Sequence, residues 1–225
     1  YTVGNQVAET IILHQDVNRR EAMDRAVDIV GRVGLPNPAD LVKRYPHELS
    51  GGMRQRAMVA LALSCRPALL FADEPTTALD VTTEAQILDL MRELQGEMGM
   101  TIVFITHNLG VVAQMCDTVG VMYLGRIVEM ADVETLFYDP KHPYTAALLR
   151  SIPHVGSTTK ERLAPIRGVV PDPYATINGC PFHPRCDSFM PGVCDAAVPA
   201  ETNIGDGHMV RCLLYSDKGE VEDNG

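Results

Sequence analysis

The spacing of apolar residues predicts that the first 48 residues are mostly helical. Five apolar residues recur there at the three- and four-residue intervals that place side chains on one face of a helix: Met23, Ala26, Val27, Val30 and Val33. Gly34 and Pro36 then end the pattern. Ser50 occupies the N-cap position of a further helix, which we expect to reach about Ser64.

Two short apolar runs predict buried parallel strands. The first is ALLFAD (68–73) and the second is TIVFIT (101–106). A helix is predicted between them, from about Thr82 to Met98, and another is predicted over 109–116. Two shorter strands, TVGVMYL and RIVEM, flank Gly125. Because strands and helices alternate with short connections, the sequence predicts an α/β fold with parallel strands.

The pattern changes after about Asp139, where proline becomes frequent and the apolar periodicity fades. Four of the six cysteines are also concentrated in this last part of the chain. We therefore predict a domain boundary near 138–160. The predicted parts are a helical subdomain (about 1–65) and an α/β part (about 66–138) of one domain, then a small irregular cysteine-rich extension (139–225).

Composition and charge narrow the possible functions. The chain has 225 residues, of which 46% are hydrophobic, enough for one core and a small appendage. A net charge of −10 without a basic face argues against nucleic-acid binding. No apolar run approaches the roughly 20 residues that span a bilayer, so a membrane role would require a partner. The chain begins at Tyr1 in the middle of a pattern, and we expect a segment upstream of it.

Three acidic residues and a histidine are predicted to meet at one edge of the sheet. Asp73 and Glu74 follow the first strand, Asp80 comes six residues later, and His107 follows the second strand. Ligands of α/β proteins bind at the carboxyl ends of parallel strands. An aspartate there suits Mg²⁺, and the adjacent glutamate can polarise a water molecule. Taken alone, the acidic pair could equally do no more than end a strand.

The stretch LSGGMRQR (49–56) has the features of a phosphate-binding helix start. Gly51 and Gly52 let a ligand approach the backbone, the free N–H groups carry partial positive charge, and Ser50 adds a hydroxyl. A serine and two glycines before a helix are also typical of an ordinary glycine-rich cap. The wider order of motifs therefore decides between the two interpretations.

That order, LSGGMRQR, LLFADEPTTALD and FITH, resembles the ATPase subunit of an ABC transporter over nearly all of residues 1–135. The resemblance implies a P-loop NTPase-type ABC ATPase domain that binds ATP and Mg²⁺. By this resemblance, Ser50, Gly51 and Gly52 would be the signature motif that contacts ATP of the opposite subunit, with Gln55 beside them. Asp73 would bind Mg²⁺ and Glu74 would be the general base. Asp80 would lie in the loop that signals across the dimer, and His107 would be the histidine that senses the γ-phosphate.

One part of the family pattern is absent from this sequence. The family's GxxxxGK[ST] loop, the Walker A motif, does not occur, because none of the four lysines (43, 141, 160 and 218) follows a glycine. The aromatic residue that stacks on adenine and the glutamine of the Q-loop cannot be assigned either. We therefore expect the domain to be partial and to be inactive alone, with weak Mg-ATP binding at most. Tight stoichiometric binding in a nucleotide titration would refute this.

The cysteines Cys180, Cys186, Cys194 and Cys212 have irregular spacing. Structural zinc sites favour closer pairs, and thiolates on irregular loops can also hold an iron–sulfur cluster. Spacing alone leaves zinc, a cluster and unliganded thiols equally open.

The stretches VETLFYDPKHPYTAALLRSIP, GVVPDP and CPFHPRC resemble the C-terminal extension of dipeptide and oligopeptide importer ATPases. Some of these carry a [4Fe-4S] cluster on four cysteines here, so the resemblance implies a cluster on these four, with zinc as the alternative. The HPY sequence at 142–144 is expected to pack the extension rather than to act in catalysis.

Together the two resemblances imply an ATP-hydrolysing subunit that energises the import of dipeptides or oligopeptides, with nickel as a further cargo among relatives. It would be peripheral, on the cytoplasmic face of the membrane, with residues 1–48 facing the membrane partners. Its expected partners are a second ABC ATPase subunit, two transmembrane permease subunits and, indirectly, an external peptide-binding protein, with no nucleic acid. The alternatives are a soluble non-transport ABC ATPase and a non-catalytic regulatory or redox module.

Overall fold

The computed structural model describes residues 1–151, 166–172 and 177–216. By their contacts the residues form two compact units, 1–115 (the N-terminal unit) and 116–225 (the C-terminal unit), and each is described by itself. Two of the stretches that carry the resemblance to importer ATPases end outside the described residues. These ends are Ile152 and Pro153 of VETLFYDPKHPYTAALLRSIP, and Pro173 of GVVPDP. No helix in the described part of the chain is long and apolar enough to cross a membrane.

The N-terminal unit has the predicted order of helices and strands. Its elements are α1 (Val3–His14), α2 (Arg19–Arg32), α3 (Pro38–Leu41), a short 3₁₀ helix (Pro46–Glu48), α4 (Gly51–Leu63), β1 (Leu69–Asp73), α5 (Val81–Met98), β2 (Thr101–Ile105) and α6 (Leu109–Met115). Side-chain oxygens of Thr2, Asn18, Ser50 and Asp80 cap the starts of α1, α2, α4 and α5. These caps are local sequence signals, which is why the predicted bounds agree within a few residues.

Apolar faces of α1, α2, α4 and α5 form the main core of this unit. Ile11, Ala26, Val30, Ala60 and Leu94 are among its fully or almost fully buried side chains. The predicted apolar face of α2 therefore does pack inward. The helical part of the prediction for residues 1–48 is confirmed.

The strands β1 and β2 are parallel neighbours, as predicted, and Asp73 pairs with Ile105 at the carboxyl end. The prediction that both strands are buried is wrong for one face of this sheet. Ala72 packs inward with Ile87 and Met91 of α5. The alternate residues point outward, so that Phe71 is 65% exposed. The reason is that α5 covers one face of the two-stranded sheet, whereas residues on the other face are exposed in the N-terminal unit.

The C-terminal unit contains a four-stranded antiparallel sheet in the order β3-β4-β6-β5. Its elements are β3 (Thr118–Tyr123), β4 (Arg126–Asp132), α7 (Val133–Tyr138), α8 (Pro143–Arg150), a 3₁₀ helix (His183–Arg185), β5 (Thr202–Asn203) and β6 (Met209–Val210). Leu124 and Gly125 both have positive φ (44° and 76°), which is typical of a tight hairpin turn. Such a turn makes β3 and β4 antiparallel, so among the described strands the parallel arrangement holds only for β1 and β2.

The sheet joins the hairpin to the cysteine-rich segment. Glu129 and Met130 of β4 pair with Val210 and Met209 of β6. The contacts accordingly divide the chain after Met115. The predicted division into a domain 1–138 and an extension 139–225 stays a prediction.

Candidate functional site

Glu74 and His107 form a hydrogen-bonded pair at the carboxyl ends of β1 and β2. The His107 Nδ1 atom lies 2.6 Å from Glu74 Oε1, and the His107 backbone N–H donates to the same oxygen at 3.3 Å. The backbone N–H of Glu74 donates to the carbonyl of Ile105 at 2.8 Å, which ties the residue after β1 to the end of β2. Because parallel strands end at the same edge, residues 33 positions apart meet here.

The Glu74 carboxylate is held in its ionised form. The hydrogen bond from His107 lowers the pKa of Glu74, and a hydrogen bond from the Thr77 hydroxyl to Oε2 (3.0 Å) lowers it further. The side chain of Glu74 is 37% exposed and that of His107 is 85% exposed. A carboxylate that is ionised at neutral pH and open to solvent can accept a proton from a water molecule.

Asp73 and Asp80 lie in different local settings. Asp73 is the last residue of β1 and is exposed at the same edge as Glu74. Asp80 is the N-cap of α5 and accepts hydrogen bonds from the backbone N–H (2.9 Å) and the hydroxyl (2.7 Å) of Thr83. These bonds lower the pKa of Asp80. The structure therefore gives Asp80 a capping contact, and its predicted signalling role stays a prediction.

The start of α4 lies against the loop that follows β1. Ser50 Oγ accepts a hydrogen bond from the Met53 N–H at 3.3 Å. A Cβ atom on Gly52 would approach Thr83 Cγ2 to 2.8 Å, whereas a Cβ on Gly51 would meet no atom within 4 Å. Gln55 donates from Nε2 to the carbonyl of Pro75, the residue after Glu74. The first glycine thus borders open space, and the second packs closely against the Thr83 side chain of α5.

Sequence reasoning missed a second polar link in this region. Asn108 Nδ2 donates to Glu84 Oε1 at 3.1 Å, and the Thr76 hydroxyl donates to the same oxygen at 3.4 Å. Asn108 Oδ1 also accepts from the N–H groups of Gly110 and Val111 at the start of α6. An asparagine directly before an apolar helix is an N-cap signal, and it could have identified Asn108. The link ties the loop after β2 to α5.

Four cysteines of the C-terminal unit share one neighbourhood. Burial raises the pKa of Cys212 to about 12, and interactions with Cys180, Cys186 and Cys194 contribute to the shift. The Cys180 N–H donates to the Cys194 carbonyl at 2.8 Å. Among the described residues, however, no group of three or more potential ligands has the placement of a metal-ion site. The described geometry therefore supports neither a zinc site nor an iron–sulfur cluster by itself.

Glu129 is a buried hydrogen-bonding centre that sequence reasoning also missed. Its two carboxylate oxygens accept from the backbone N–H of Lys141 (2.6 Å), the backbone N–H of His142 (3.0 Å) and Nε2 of His208 (2.8 Å). His142 is itself buried and caps α8 through Nδ1, and burial lowers its pKa to about 4. The expectation that the HPY sequence serves packing is thus confirmed for His142.

Comparison with known proteins gives two family matches. Residues 2–77 match the model described as "ABC transporter", and residues 128–194 match the model described as "Oligopeptide/dipeptide transporter, C-terminal region". The first match includes LSGGMRQR and most of LLFADEPTTALD but not FITH, and the second includes the three stretches that resemble the importer extension.

Individual relatives agree with these matches. The chain is 49% identical over 212 residues to the dipeptide transport ATP-binding protein of Escherichia coli, which covers 94% of this chain. It is 51% identical over 222 residues, or 96% of this chain, to a Brucella melitensis protein whose name provisionally assigns it as a peptide import ATP-binding protein. The chain spans 64% and 65% of the lengths of these two relatives.

A solved structure shares the fold. It is cbiO1 from Clostridium perfringens, part of the ABC transporter complex cbiONQ. It is 30% identical to this chain, with a TM-score of 0.53 over 61% of this chain and 53% of the solved one. The α/β ABC-type fold predicted from the sequence is confirmed.

Proposed function

We propose that this chain, which belongs to the ABC transporter family, is part of an ATP-hydrolysing subunit that energises the import of dipeptides or oligopeptides. The observation that carries the proposal is the Glu74–His107 pair at the carboxyl ends of parallel strands. The proposal is supported further by the names of its relatives, which are peptide and dipeptide transport proteins.

The described geometry supports a division of roles between the site residues. Glu74 would accept a proton from the attacking water at its carboxylate, while His107 orients that carboxylate through Oε1. Asp73 is an oxygen ligand of the type that Mg²⁺ prefers, at the same edge. Ser50, Gly51 and Gly52 would present backbone N–H groups and a hydroxyl to ATP of a second subunit, and Gln55 would fix their position relative to Pro75.

The proposed assembly follows the family. The chain would work with a second ABC ATPase subunit and two transmembrane permease subunits on the cytoplasmic face of the membrane, and an external binding protein would deliver the peptide. Signalling between the two ATPase subunits would involve the loop that ends at Asp80. The absence of a GxxxxGK[ST] sequence from these 225 residues means that a complete ATP site would need residues from outside them.

A chimera tests the proposed function in cells. The aligned part of the E. coli dipeptide transport protein is replaced by this chain, and uptake of a labelled dipeptide is measured in a strain that lacks the native gene. We expect uptake well above that of the empty strain, because the two sequences are 49% identical in this part. Uptake no higher than in the empty strain, with the chimera present in the membrane fraction together with the permease subunits, would contradict the proposal.

We further propose that Cys180, Cys186, Cys194 and Cys212 hold a [4Fe-4S] cluster. The proposal is supported by electrostatic interactions that link Cys212 to the other three thiols, and by a family match that includes the first three cysteines. The donor chemistry fits such a group, because four cysteine thiolates are the usual ligands of a [4Fe-4S] cluster. When bound, it would contribute rigidity, since it would join loops that are distant in sequence.

Anaerobic purification tests the cluster. We expect about four iron atoms per chain and a broad visible absorption band, both lost in the Cys194→Ser variant, because removal of a ligand weakens a four-thiolate site. Cys65→Ser, which changes a half-buried cysteine of the N-terminal unit, is the matched control and should keep the iron. Zinc without iron, or no metal in the wild-type chain, would refute the proposal.

A further inference from the structure

We propose that a cleft in the C-terminal unit is a binding site for a small soluble oxyanion with several negative charges, such as a molecule with phosphate or carboxylate groups. The cleft has a volume of about 360 Å³. That volume suits a small molecule rather than a folded partner. Neither the proposed ATP hydrolysis nor the proposed cluster makes use of it.

The charged side chains that line the cleft are mostly cationic. Among the described lining residues they are Lys141, Arg150, Arg167 and Arg185, and one carboxylate, that of Asp187, lies with them. Even if Asp139 is added as the ion-pair partner of Lys141, positive charges exceed negative ones by two. The chain as a whole carries a net charge of −10, so the cleft is positively charged in a protein that is negatively charged overall. An anion entering the cleft would meet a local positive potential.

Among the residues that the structure describes, the ion pairs of Arg150 and Arg167 are long. Asp187 is the shared carboxylate of two guanidinium groups, at 3.9 Å from Arg150 and 4.0 Å from Arg167. These distances are too long for the paired hydrogen bonds that an arginine fork makes with a carboxylate or phosphate. The side chains of Arg150 and Arg167 are 61% and 81% exposed, so both can turn toward a ligand.

A rigid wall supports the cationic groups. Phe182 lines the cleft and packs on Tyr123 and Tyr144, with ring centroids 5.3 Å apart in each case. Arg185 is held from two sides, because Nε donates to the Arg167 carbonyl at 2.9 Å and Nη1 to the Tyr123 hydroxyl at 3.4 Å. Groups that are fixed before binding lose less entropy when the ligand arrives.

Calorimetric titration of the 225-residue chain with pyrophosphate tests the site at about 50 mM salt. We expect saturable binding that the double variant Arg150→Gln/Arg167→Gln weakens by about 10-fold or more, because charge-assisted hydrogen bonds are lost. The Asp187→Asn variant should bind about threefold more tightly, because the competing carboxylate is gone. A gain of affinity cannot result from misfolding. Lys43→Gln, which removes one positive charge in the N-terminal unit, is the control and should bind like the wild type.

Three results would overturn the proposal. The first is the absence of saturable binding to the wild-type chain up to about 10 mM pyrophosphate. Most specific small-ligand sites have dissociation constants well below this concentration. The second is binding that the arginine variants leave unchanged, as expected if pyrophosphate binds at the start of α4 instead. The third is arginine-dependent binding to phosphatidylglycerol vesicles that pyrophosphate does not compete with, which would indicate a lipid surface rather than a soluble anion.

Discussion

The Glu74→Gln variant of the chimera is expected to hydrolyse ATP at least about 100-fold more slowly than the parent chimera, which is the usual size of a lost general base. The amide has nearly the same shape as the carboxylate, so the fold and the contact with His107 can persist. It cannot accept a proton at neutral pH, whereas the carboxylate, with its lowered pKa, can. The measurement is phosphate release by the purified complex.

Glu84→Gln provides the matched control for this prediction. Glu84 is a carboxylate of the same region that accepts hydrogen bonds from Asn108 and Thr76, and an amide oxygen can accept both. We expect its activity to change by no more than a few-fold, since no proton transfer is assigned to it. Equal losses in the two variants would mean that Glu74 acts through structure and not as a base.

The Glu129→Ala variant is expected to lower the free energy of unfolding of the C-terminal unit by about 3–5 kcal/mol, because it leaves several hydrogen-bond donors without an acceptor at a cost of about 1–3 kcal/mol each. The change leaves His208 and the N–H groups of Lys141 and His142 without their acceptor in a buried setting. Chemical denaturation followed by tyrosine fluorescence can measure it. The described part of this unit contains four tyrosines, which are Tyr123, Tyr138, Tyr144 and Tyr215.

Glu201→Ala is the control for this effect. Glu201 forms a more exposed ion pair with Arg211 at 3.1 Å in the same unit, and loss of such a pair costs less than about 1 kcal/mol. The Glu129→Gln variant keeps an acceptor oxygen and should fall between the two. A Glu129→Ala variant as stable as Glu201→Ala would show that water replaces the lost acceptor at this position.

Local signals explain which parts of the structure could be predicted. Ser50 was placed correctly at a helix start because a cap depends on residues three positions away. The Glu74–His107 pair was predicted because both residues follow neighbouring parallel strands, whose carboxyl ends coincide. In these cases the sequence itself contains the geometric constraint.

Long-range partners explain what was missed. An apolar run indicates that a strand is suited to burial, but it does not show whether another element covers each face. The exposure of Phe71 could therefore not be predicted from the sequence. Glu129 is a single acid within a short strand, and its partners lie 12, 13 and 79 residues away. Contacts of this kind are decided by tertiary packing, for which one sequence provides no local pattern.

The central claim is that this chain supplies working parts of an ATPase coupled to peptide import. The most direct test is ATP hydrolysis by the chimeric complex in membranes, with and without a dipeptide-loaded external binding protein. The account predicts a rate that rises several-fold with the loaded binding protein and that the Glu74→Gln change abolishes. An assembled complex whose ATP hydrolysis is unaffected by the loaded binding protein, or is unaffected by the Glu74→Gln change, would contradict it.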